Sequence, residues 1–167
     1  MATINTSEIL VVTPCGKKKQ PISCPARTLY QGAYFTACLK WALSVVPASR
    51  VRILSGKYGL LPLEKTINPY NAVIGDVLTS VTIHDIIRQA KEQGIGDVKR
   101  VICLGGVWYQ WMVKNAWPQQ AEFPFYSGGG MFTQMQVLTA NRGRLPESWK
   151  KKRLFLKEVK ERASVSK

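Results

Sequence analysis

Acidic residues and histidine are scarce in this chain of 167 residues. Ten Asp and Glu stand against 24 Lys and Arg, which gives a formal net charge of +14. Such an excess attracts polyanions, so we expect nucleic acid as the partner. His84 is the one histidine. We expect it on the surface of a helix, and a Ser/His/Asp triad is therefore not predicted.

Paired cysteines are also missing. Cys15, Cys24, Cys38 and Cys103 have no CxxC spacing, so we predict reduced thiols, no metal site and no cofactor. Cys38 and Cys103 fall in apolar helix and strand patterns, which predicts that they are buried. Cys15 lies beside lysines and is either a nucleophile with a lowered pKa or a small residue packed under the turn.

Long apolar runs are absent too, the run Ile9 to Val12 being far too short to cross a bilayer. The start of the chain does not have the pattern of a signal peptide. We therefore expect a cytoplasmic protein without a membrane partner. The sequences GxxxxGK[ST] and GxGxxG do not occur either, which disfavours nucleotide triphosphatases and dinucleotide enzymes.

Apolar runs alternate with helical patterns along the whole chain, which predicts an α/β fold. We expect one domain over residues 1–167, a three-layer α/β/α sandwich with a mostly parallel central sheet, as a monomer or weak oligomer. The predicted strands are Ile9–Thr13, Val51–Ser55, Arg100–Leu104 and a short piece at Phe123–Tyr126. The predicted helices are Pro25–Val46, with an apolar face of Leu29, Ala33, Ala37, Trp41 and Val45, then Thr79 or Ser80 to Gln93, Val107–Ala116 and Met131–Asn141.

The last twenty residues form a strongly basic segment. Residues 148–167 hold eight basic and two acidic residues, and their apolar positions recur at helical spacing. We predict a basic C-terminal helix whose charged face either meets nucleic acid or is simply solvated. Its candidates for contacts with a DNA backbone are Lys150, Lys151, Lys152 and Arg153, to which Lys18 is added.

Three predicted strands end in unusual turns, namely Pro14–Lys19, Ser55–Pro62 and Leu104–Gly106. In an open α/β sheet, ligands collect beyond the carboxyl ends of the strands. Backbone N–H groups of glycine-bearing turns and a helix N-terminus suit an anion there. Lys17, Lys19 and Lys57 would neutralise it, although a solvated lysine loop is the alternative for the first turn.

The loop predicted at Gly56–Asp76 holds the candidates for the chemical step. Glu64 and Asp76 flank the turn Asn68-Pro69-Tyr70-Asn71 in a chain with few acids. Glu64 is either a functional carboxylate or a surface salt bridge with a lysine. Asp76 is either functional or a turn or cap residue.

Four segments together resemble the YaaA-related proteins, most of all a small branch in phages and bacteria. They are PCxxKK at Pro14–Lys19, LYxGxYF at Leu29–Phe35, ILSxKYGLL at Ile53–Leu61, and the pair Pro69-Tyr70. The first turn is also similar to that in the catalytic domain of archaeosine synthase, and these groups resemble the uracil-DNA glycosylase superfamily in fold. The resemblance covers about residues 9–110 and implies a three-layer α/β/α domain that acts on nucleic acid bases.

Asn71 departs from the pattern of the resembling proteins, in which Asp commonly follows the PY pair. An asparagine positions a water but accepts no proton, so it is either a water-positioning residue or an inactivating substitution. Glu64 or Asp76 would then supply the carboxylate.

The sequence thus predicts a DNA glycosylase that hydrolyses the N-glycosidic bond of a modified or damaged base, in DNA repair or anti-phage defence. The alternatives are a non-catalytic DNA-binding protein and a base-modifying transferase. Trp108, Tyr109 and Trp111 are further candidates for the walls of a base pocket, Trp111 being expected in the core. The predicted catalytic residues are Asn71, Glu64 and Asp76, and the predicted substrate-binding residues are Cys15, Gly16, Lys17, Lys19, Tyr30, Ser55, Lys57, Tyr58, Tyr70, Gly105 and Gly106.

Overall fold

A computed structural model describes residues 5–71, 80–125 and 129–145 of the chain. Its strands are β1 (Ile9–Pro14), β2 (Cys24–Pro25), β3 (Val51–Ser55), β4 (Gly59–Pro62), β5 (Thr66–Ile67), β6 (Arg100–Cys103) and β7 (Ala121–Glu122). Its α-helices are α1 (Ala26–Leu29), α2 (Ala33–Val45), α3 (Ile83–Glu92), α4 (Val107–Ala116) and α5 (Met131–Ala140), with short 3₁₀ helices at Thr6–Glu8 and Ala48–Arg50.

Five strands form the central sheet in the order β4-β3-β1-β6-β7. The central strand β1 is parallel to both neighbours, with Val11 opposite Val51 of β3 and Ile102 of β6. β7 continues the parallel arrangement beyond β6, whereas β4 pairs antiparallel with β3 at the other edge. The predicted α/β fold with a mostly parallel sheet is confirmed.

Helices pack on both faces of this sheet because its buried strands are apolar on both sides. Ile9 and Val11 of β1 face a core that includes Trp41 of α2 and Val137 of α5. Leu10 and Val12 face the opposite core, which receives residues from α3 and α4, among them Ile86, Met112 and Val113. Alternate residues of a strand point to opposite faces, which explains this division.

The prediction of one continuous helix over Pro25–Val46 is wrong, because the structure has two helices in this range. α1 ends at Leu29, and α2 starts only at Ala33 because Tyr30 is extended and pairs with Lys19 in a single antiparallel bridge. The buried positions of α2 are Phe35, Cys38, Trp41 and Ala42. The buried face of α2 is therefore rotated about the helix axis relative to the predicted apolar face, and Ala33 is exposed.

The loop predicted at Gly56–Asp76 contains two strands. Gly59 has a φ of +75°, a conformation that glycine adopts without strain, and it starts the hairpin strand β4. Leu60 and Leu61 are thereby buried beside Leu54 and Ile53 of β3.

Two further elements differ from the prediction by two residues or more. The N-cap of α3 is Thr82 instead of Thr79 or Ser80, because Thr82 and Asp85 form a reciprocal capping box. The fourth predicted strand lies two residues earlier, at Ala121–Glu122. There the buried Glu122 pairs with Arg100 of β6 at 2.7 Å.

Residues 146–167, with the predicted C-terminal helix and its basic cluster, lie outside the described residues. No helix within the described ranges has the length and apolar character needed to cross a bilayer.

Candidate functional site

The carboxyl ends of β1, β3 and β6 meet at one edge of the sheet. The chain lays β3 on one side of β1 and later places β6 on the other side, so the strand order reverses at β1. Ligands bind at such a reversal in open α/β sheets. The backbone N–H of Cys15 donates to Leu54 of β3 at 3.3 Å, and the N–H of Leu104 donates to Val12 at 2.9 Å. All three predicted turns are thus adjacent.

A chain of hydroxyl groups centred on Tyr70 lies at this edge. The Tyr70 hydroxyl is 2.5 Å from that of Tyr30 and 2.7 Å from the buried Ser55 Oγ. Ser55 Oγ also accepts the backbone N–H groups of Lys57 and Tyr58. A hydroxyl has two acceptor positions and one proton. Because both acceptor positions of Ser55 are occupied, its proton is directed to the Tyr70 oxygen.

Two lysines approach the ring of the same tyrosine. The Lys19 Nζ lies 4.4 Å from the Tyr70 ring centroid, and the Lys57 Nζ lies 5.9 Å from it. The Tyr58 ring packs edge-on against Tyr70 at 5.3 Å. Burial lowers the pKa of Lys19, an effect that interaction with Cys15 opposes. Among the described residues, neither these lysines nor Lys17 and Lys18 form a salt bridge.

An open cleft of about 330 Å³ adjoins this cluster. Its walls come from the β1 turn and from the Asn68–Asn71 turn, and Lys17 at its mouth is exposed. The cleft therefore combines unneutralised positive charge, an aromatic ring and amide groups. Its lining residues are Lys17, Lys19, Gln20, Pro21, Pro69, Tyr70 and Asn71.

Burial keeps Tyr30, Tyr70 and Tyr109 protonated at neutral pH. Burial raises the pKa of Tyr30 to about 12, and burial also raises the pKa values of Tyr70 and Tyr109 above the usual range. A phenol with a raised pKa forms almost no phenolate at neutral pH, so it offers no base to a ligand. Tyr70, the one of the three that lines the cleft, can still donate a hydrogen bond.

The β1–β6 side of the edge is closely packed. Gly105 has a φ of +116°, and a Cβ placed on it would lie 3.1 Å from both Pro14 Cβ and Tyr109 Cδ2. The Cys15 Sγ lies 3.2 Å from the Tyr109 hydroxyl. Cys15 is thus partly buried beside a hydroxyl group, in agreement with the reading of a small residue packed under the turn. Gly106 is exposed and caps α4, and Gly16 has no heavy atom within 4 Å of a Cβ placed on it.

The structure places two of the three predicted catalytic residues, Asn71 and Glu64, and only Asn71 lies at the cleft. Asn71 is exposed and lines the cleft. Glu64 does not line it, because its carboxylate is bound by Arg27 at 2.7 Å on the surface. The salt bridge considered for Glu64 exists, although with an arginine instead of a lysine. Asp76 and the cluster Lys150–Arg153 lie outside the described residues.

Several individual predictions are settled by burial. Trp111 is 55% exposed, so its predicted place in the core is wrong; the neighbouring Met112 and Val113 occupy the buried side of α4 instead. His84 is exposed, and Cys38 and Cys103 are buried, as predicted. All four cysteines are free. Within the described ranges, no three His, Cys, Asp or Glu side chains come together in a group that could hold a metal ion.

Gln20 and Pro21 were not predicted as cleft residues. Both follow the lysine triplet, and the Gln20 N–H donates to the Leu29 carbonyl at 2.8 Å, which holds the turn against the end of α1. Their residue types do not indicate a position at the cleft, since that position depends on the bridge between Lys19 and Tyr30.

Two comparisons with known proteins each gave a match. A family model described as a family of unknown function (DUF6884) matches residues 9–139, a range that contains every described element of the site. The uncharacterized protein YfjM of Bacillus subtilis (strain 168) is 31% identical over 140 residues, which cover 77% of this chain and 91% of that protein. The chain therefore belongs to the DUF6884 family.

Proposed function

We propose that the protein hydrolyses the N-glycosidic bond of a base in nucleic acid, with DNA favoured over RNA. One observation carries the proposal. Tyr70 lies at the wall of an open cleft with two lysine ammonium groups over its ring and with its hydroxyl fixed by Tyr30 and Ser55. An aromatic wall beside lysines that form no salt bridge among the described residues fits a nucleotide, since the ring contacts the base and the exposed Lys17 and Lys57 bind phosphate.

Cleavage of the N-glycosidic bond requires few chemical groups other than those of the cleft. Water attacks C1′ of the sugar, the electron pair of the C1′–N bond leaves with the base, and the proton lost by water reaches the departing nitrogen. Lys19, whose Nζ lies 4.4 Å from the centroid of the Tyr70 ring, stabilises the negative charge that develops on the base. The Asn71 amide oxygen accepts a hydrogen bond from the attacking water. The Tyr30 hydroxyl donates to the Tyr70 oxygen, which leaves the proton of Tyr70 for the flipped base or its sugar.

The test is release of a free base. Oligonucleotides that carry different modified or damaged bases are incubated with the protein; mass spectrometry detects the base, and strand cleavage in alkali detects the abasic site. Removal of a preorganised donor or cation costs about 10² to 10³ in rate. We therefore expect the rate of base release to fall by about that factor in Lys19→Ala and in Tyr70→Phe. Lys40 is an exposed lysine of α2, and Lys40→Ala should keep the wild-type rate.

The proposal fails if no base or abasic site appears with any substrate, either for the wild type or for Asn71→Asp. That variant supplies a carboxylate at the one predicted catalytic position that lines the cleft. A gain of mass on the nucleic acid would instead identify a base-modifying transferase.

A non-catalytic nucleic-acid-binding protein is the second candidate. It is favoured by the lack of any Asp or Glu among the residues that line the cleft in the described part of the chain. In that case Lys17→Ala and Lys19→Ala weaken binding and no variant shows turnover, including Asn71→Asp.

A further inference from the structure

The direction of the hydrogen bonds at Tyr70 is fixed by its neighbours. Ser55 Oγ accepts the backbone N–H groups of Lys57 and Tyr58 at 3.2 and 3.0 Å, so both of its acceptor positions are occupied. Its hydroxyl is therefore left as a donor, and the Tyr70 oxygen lies 2.7 Å away. Because Ser55 is fully buried, a Ser55 proton without this acceptor would be costly. The Tyr70 oxygen therefore accepts the Ser55 proton.

The Tyr30 hydroxyl is a second donor to the same oxygen. Tyr30 belongs to the core, with 3% of its surface exposed, and it does not line the cleft. Within the described ranges, its hydroxyl interacts with Ser55 and with Tyr70, whose oxygen is 2.5 Å away. Ser55 has no free acceptor position, so only Tyr70 can accept the Tyr30 proton. The opposite direction would leave that proton buried and without a hydrogen bond.

The Tyr70 hydroxyl can consequently only donate to a ligand. A phenol oxygen that accepts two hydrogen bonds has its own proton as the one remaining group. Tyr70 lines the cleft, and no other described residue forms a hydrogen bond with its hydroxyl. Burial raises the pKa of Tyr70 above the usual range, so this proton is retained at neutral pH. The proton is therefore available to a ligand in the cleft.

Lys19 adds a second donor beside Tyr70. Its Nζ lies 4.4 Å from the centroid of the Tyr70 ring and 3.4 Å from the Lys17 carbonyl oxygen. An ammonium group has three protons and no acceptor position. No Asp or Glu is among the residues that line the cleft in the described part of the chain. Tyr70 and Lys19 thus present donors alone to a ligand. Groups that can also accept are the amides of Gln20 and Asn71.

We propose that Tyr70 and Lys19 select a nucleobase with an exocyclic oxo group over one with an amino group at that position, and that Tyr30 sets this preference from outside the cleft. An oxo group accepts hydrogen bonds from both donors. An amino group would direct its protons at them and leave the Tyr70 proton without a hydrogen bond. The inference rests on a nucleobase being the ligand of the proposed function, and it specifies the class of that base.

The same contacts suit cleavage of the N-glycosidic bond. The electron pair of the broken bond leaves with the base, and in an oxo base the resulting negative charge is delocalised onto the exocyclic oxygen. Hydrogen bonds from Tyr70 and Lys19 to that oxygen therefore strengthen as the bond breaks, which is the condition for a faster reaction. An exocyclic amino group carries such charge poorly. Binding and the transition state thus favour the same class of base.

The test is the binding of four mononucleotides, measured by isothermal titration calorimetry at neutral pH. dUMP and dCMP form one pair, and dIMP and dAMP form the other. Within each pair, one member has an oxo group where the other has an amino group. We expect each oxo member to bind at least about tenfold more tightly, because an amino group leaves a buried donor without a hydrogen bond. Tyr70→Phe should remove the preference by weakening the binding of the oxo members.

Tyr30→Phe gives the sharper result because it removes one hydroxyl that a ligand does not touch. Without the Tyr30 proton, the Tyr70 oxygen regains an acceptor position and can bind an amino group. We expect the amino members to bind more tightly than they bind to the wild type, so that the ratio of affinities within each pair approaches one. A merely structural role of Tyr30 would instead weaken the binding of all four ligands by the same factor.

The matched control is Tyr34→Phe, which removes a phenol hydroxyl outside the chain of hydroxyl groups at Tyr70. The Tyr34 hydroxyl donates to Gln134 of α5, so the ratio of affinities within each pair should equal that of the wild type. Thermal unfolding of each variant verifies that the protein still folds.

Equal affinities within both pairs for the wild type, tighter binding of the amino members, or binding of none of the four would overturn the inference. So would a preference that persists in Tyr70→Phe, or an unchanged ratio in Tyr30→Phe. Failure of the proposed function is distinguishable. A preference for oxo members without base release leaves this inference intact, whereas release of amino bases alone contradicts it.

Discussion

At the residue scale, the Tyr70 hydroxyl links three parts of the chain that are separate in sequence. It contacts Tyr30 at 2.5 Å and Ser55 at 2.7 Å, and Ser55 in turn holds the backbone of the β3 turn at Lys57 and Tyr58. Lysines were predicted at this site from their positions after strands. The chain of hydroxyl groups was not predicted, because the contacts of the Tyr70 hydroxyl depend on how the Asn68–Asn71 turn folds back.

Tyr70→Phe tests the structural part of this arrangement. Loss of the hydroxyl leaves the buried Ser55 proton without its acceptor, and an unsatisfied buried group costs about 1–3 kcal/mol. We expect the free energy of unfolding in urea to fall by that amount. The matched control is Tyr58→Phe, whose exposed hydroxyl bonds Asn68 at 3.4 Å; its effect should stay within about 0.5 kcal/mol. Equal losses in both variants would contradict the assignment.

Gly105→Ala tests the close packing between β1 and β6. The added methyl group would lie 3.1 Å from Pro14 and from Tyr109, at a φ of +116°. Backbone strain of this kind costs about 1–3 kcal/mol. Thermal unfolding should therefore show a clear loss for Gly105→Ala and none for Gly16→Ala, where a methyl group meets no atom within 4 Å. A wild-type melting temperature for Gly105→Ala would show that the turn tolerates a side chain.

At the element scale, the helices and strands with a strong apolar period were predicted well. β3 and α4 have the predicted bounds, Val51–Ser55 and Val107–Ala116. The failures lie where tertiary pairing overrides the local pattern. Tyr30 has a side chain compatible with a helix, but its backbone is extended because it pairs with Lys19. β4 was missed because an antiparallel edge strand after a tight glycine turn has too few residues to show alternation.

Thr82→Ala tests the start of α3. Thr82 Oγ1 accepts the Asp85 N–H at 3.2 Å and the Thr82 N–H donates to the Asp85 carboxylate at 2.8 Å. Loss of an N-cap hydroxyl costs about 1 kcal/mol. Denaturant unfolding at pH 7 should show this loss. Thr139→Ala, within the exposed side of α5, should show little or no loss.

The effect of Thr82→Ala should also depend on pH. The backbone N–H of Thr82, followed by its hydroxyl, holds the pKa of Asp85 below its usual value. A depressed pKa contributes stability that is complete above the unfolded value of about 4 and is lost as the pH falls through the folded value. The difference between wild type and variant should therefore narrow below about pH 4. A constant difference would show that the Thr82 hydroxyl does not stabilise the charged form of Asp85.

At the scale of the whole molecule, the topology collects the site from distant segments. The three turns are brought together because β3 and β6 lie on opposite sides of β1. In the proposed function, the net charge of +14 attracts polyanions to the entire surface, and the cleft lysines, which form no salt bridge within the described part of the chain, direct them to one edge. Measurements of binding at several salt concentrations separate these two contributions.

Binding of an oligonucleotide should weaken linearly on a plot of log K against log salt concentration. Each lysine that contacts phosphate contributes about one unit to the slope. Lys17→Ala and Lys57→Ala, both exposed, should each reduce the slope by about one. Lys40→Ala on α2 should leave it unchanged. Equal slopes in all three variants would place the phosphate contacts elsewhere on the surface.

The sequence by itself determined the fold class, the main strands and helices, and the position of the lysines and glycines after the strands, because periodic burial is a local property that residue order records. Only the tertiary structure decided the strand order, the binding of Glu64 by Arg27, and the contact of Tyr70 with Ser55. Those features depend on pairing between residues far apart in the chain. The free energy that stabilises these features comes from packing of the whole domain, so a short segment of the sequence does not determine them.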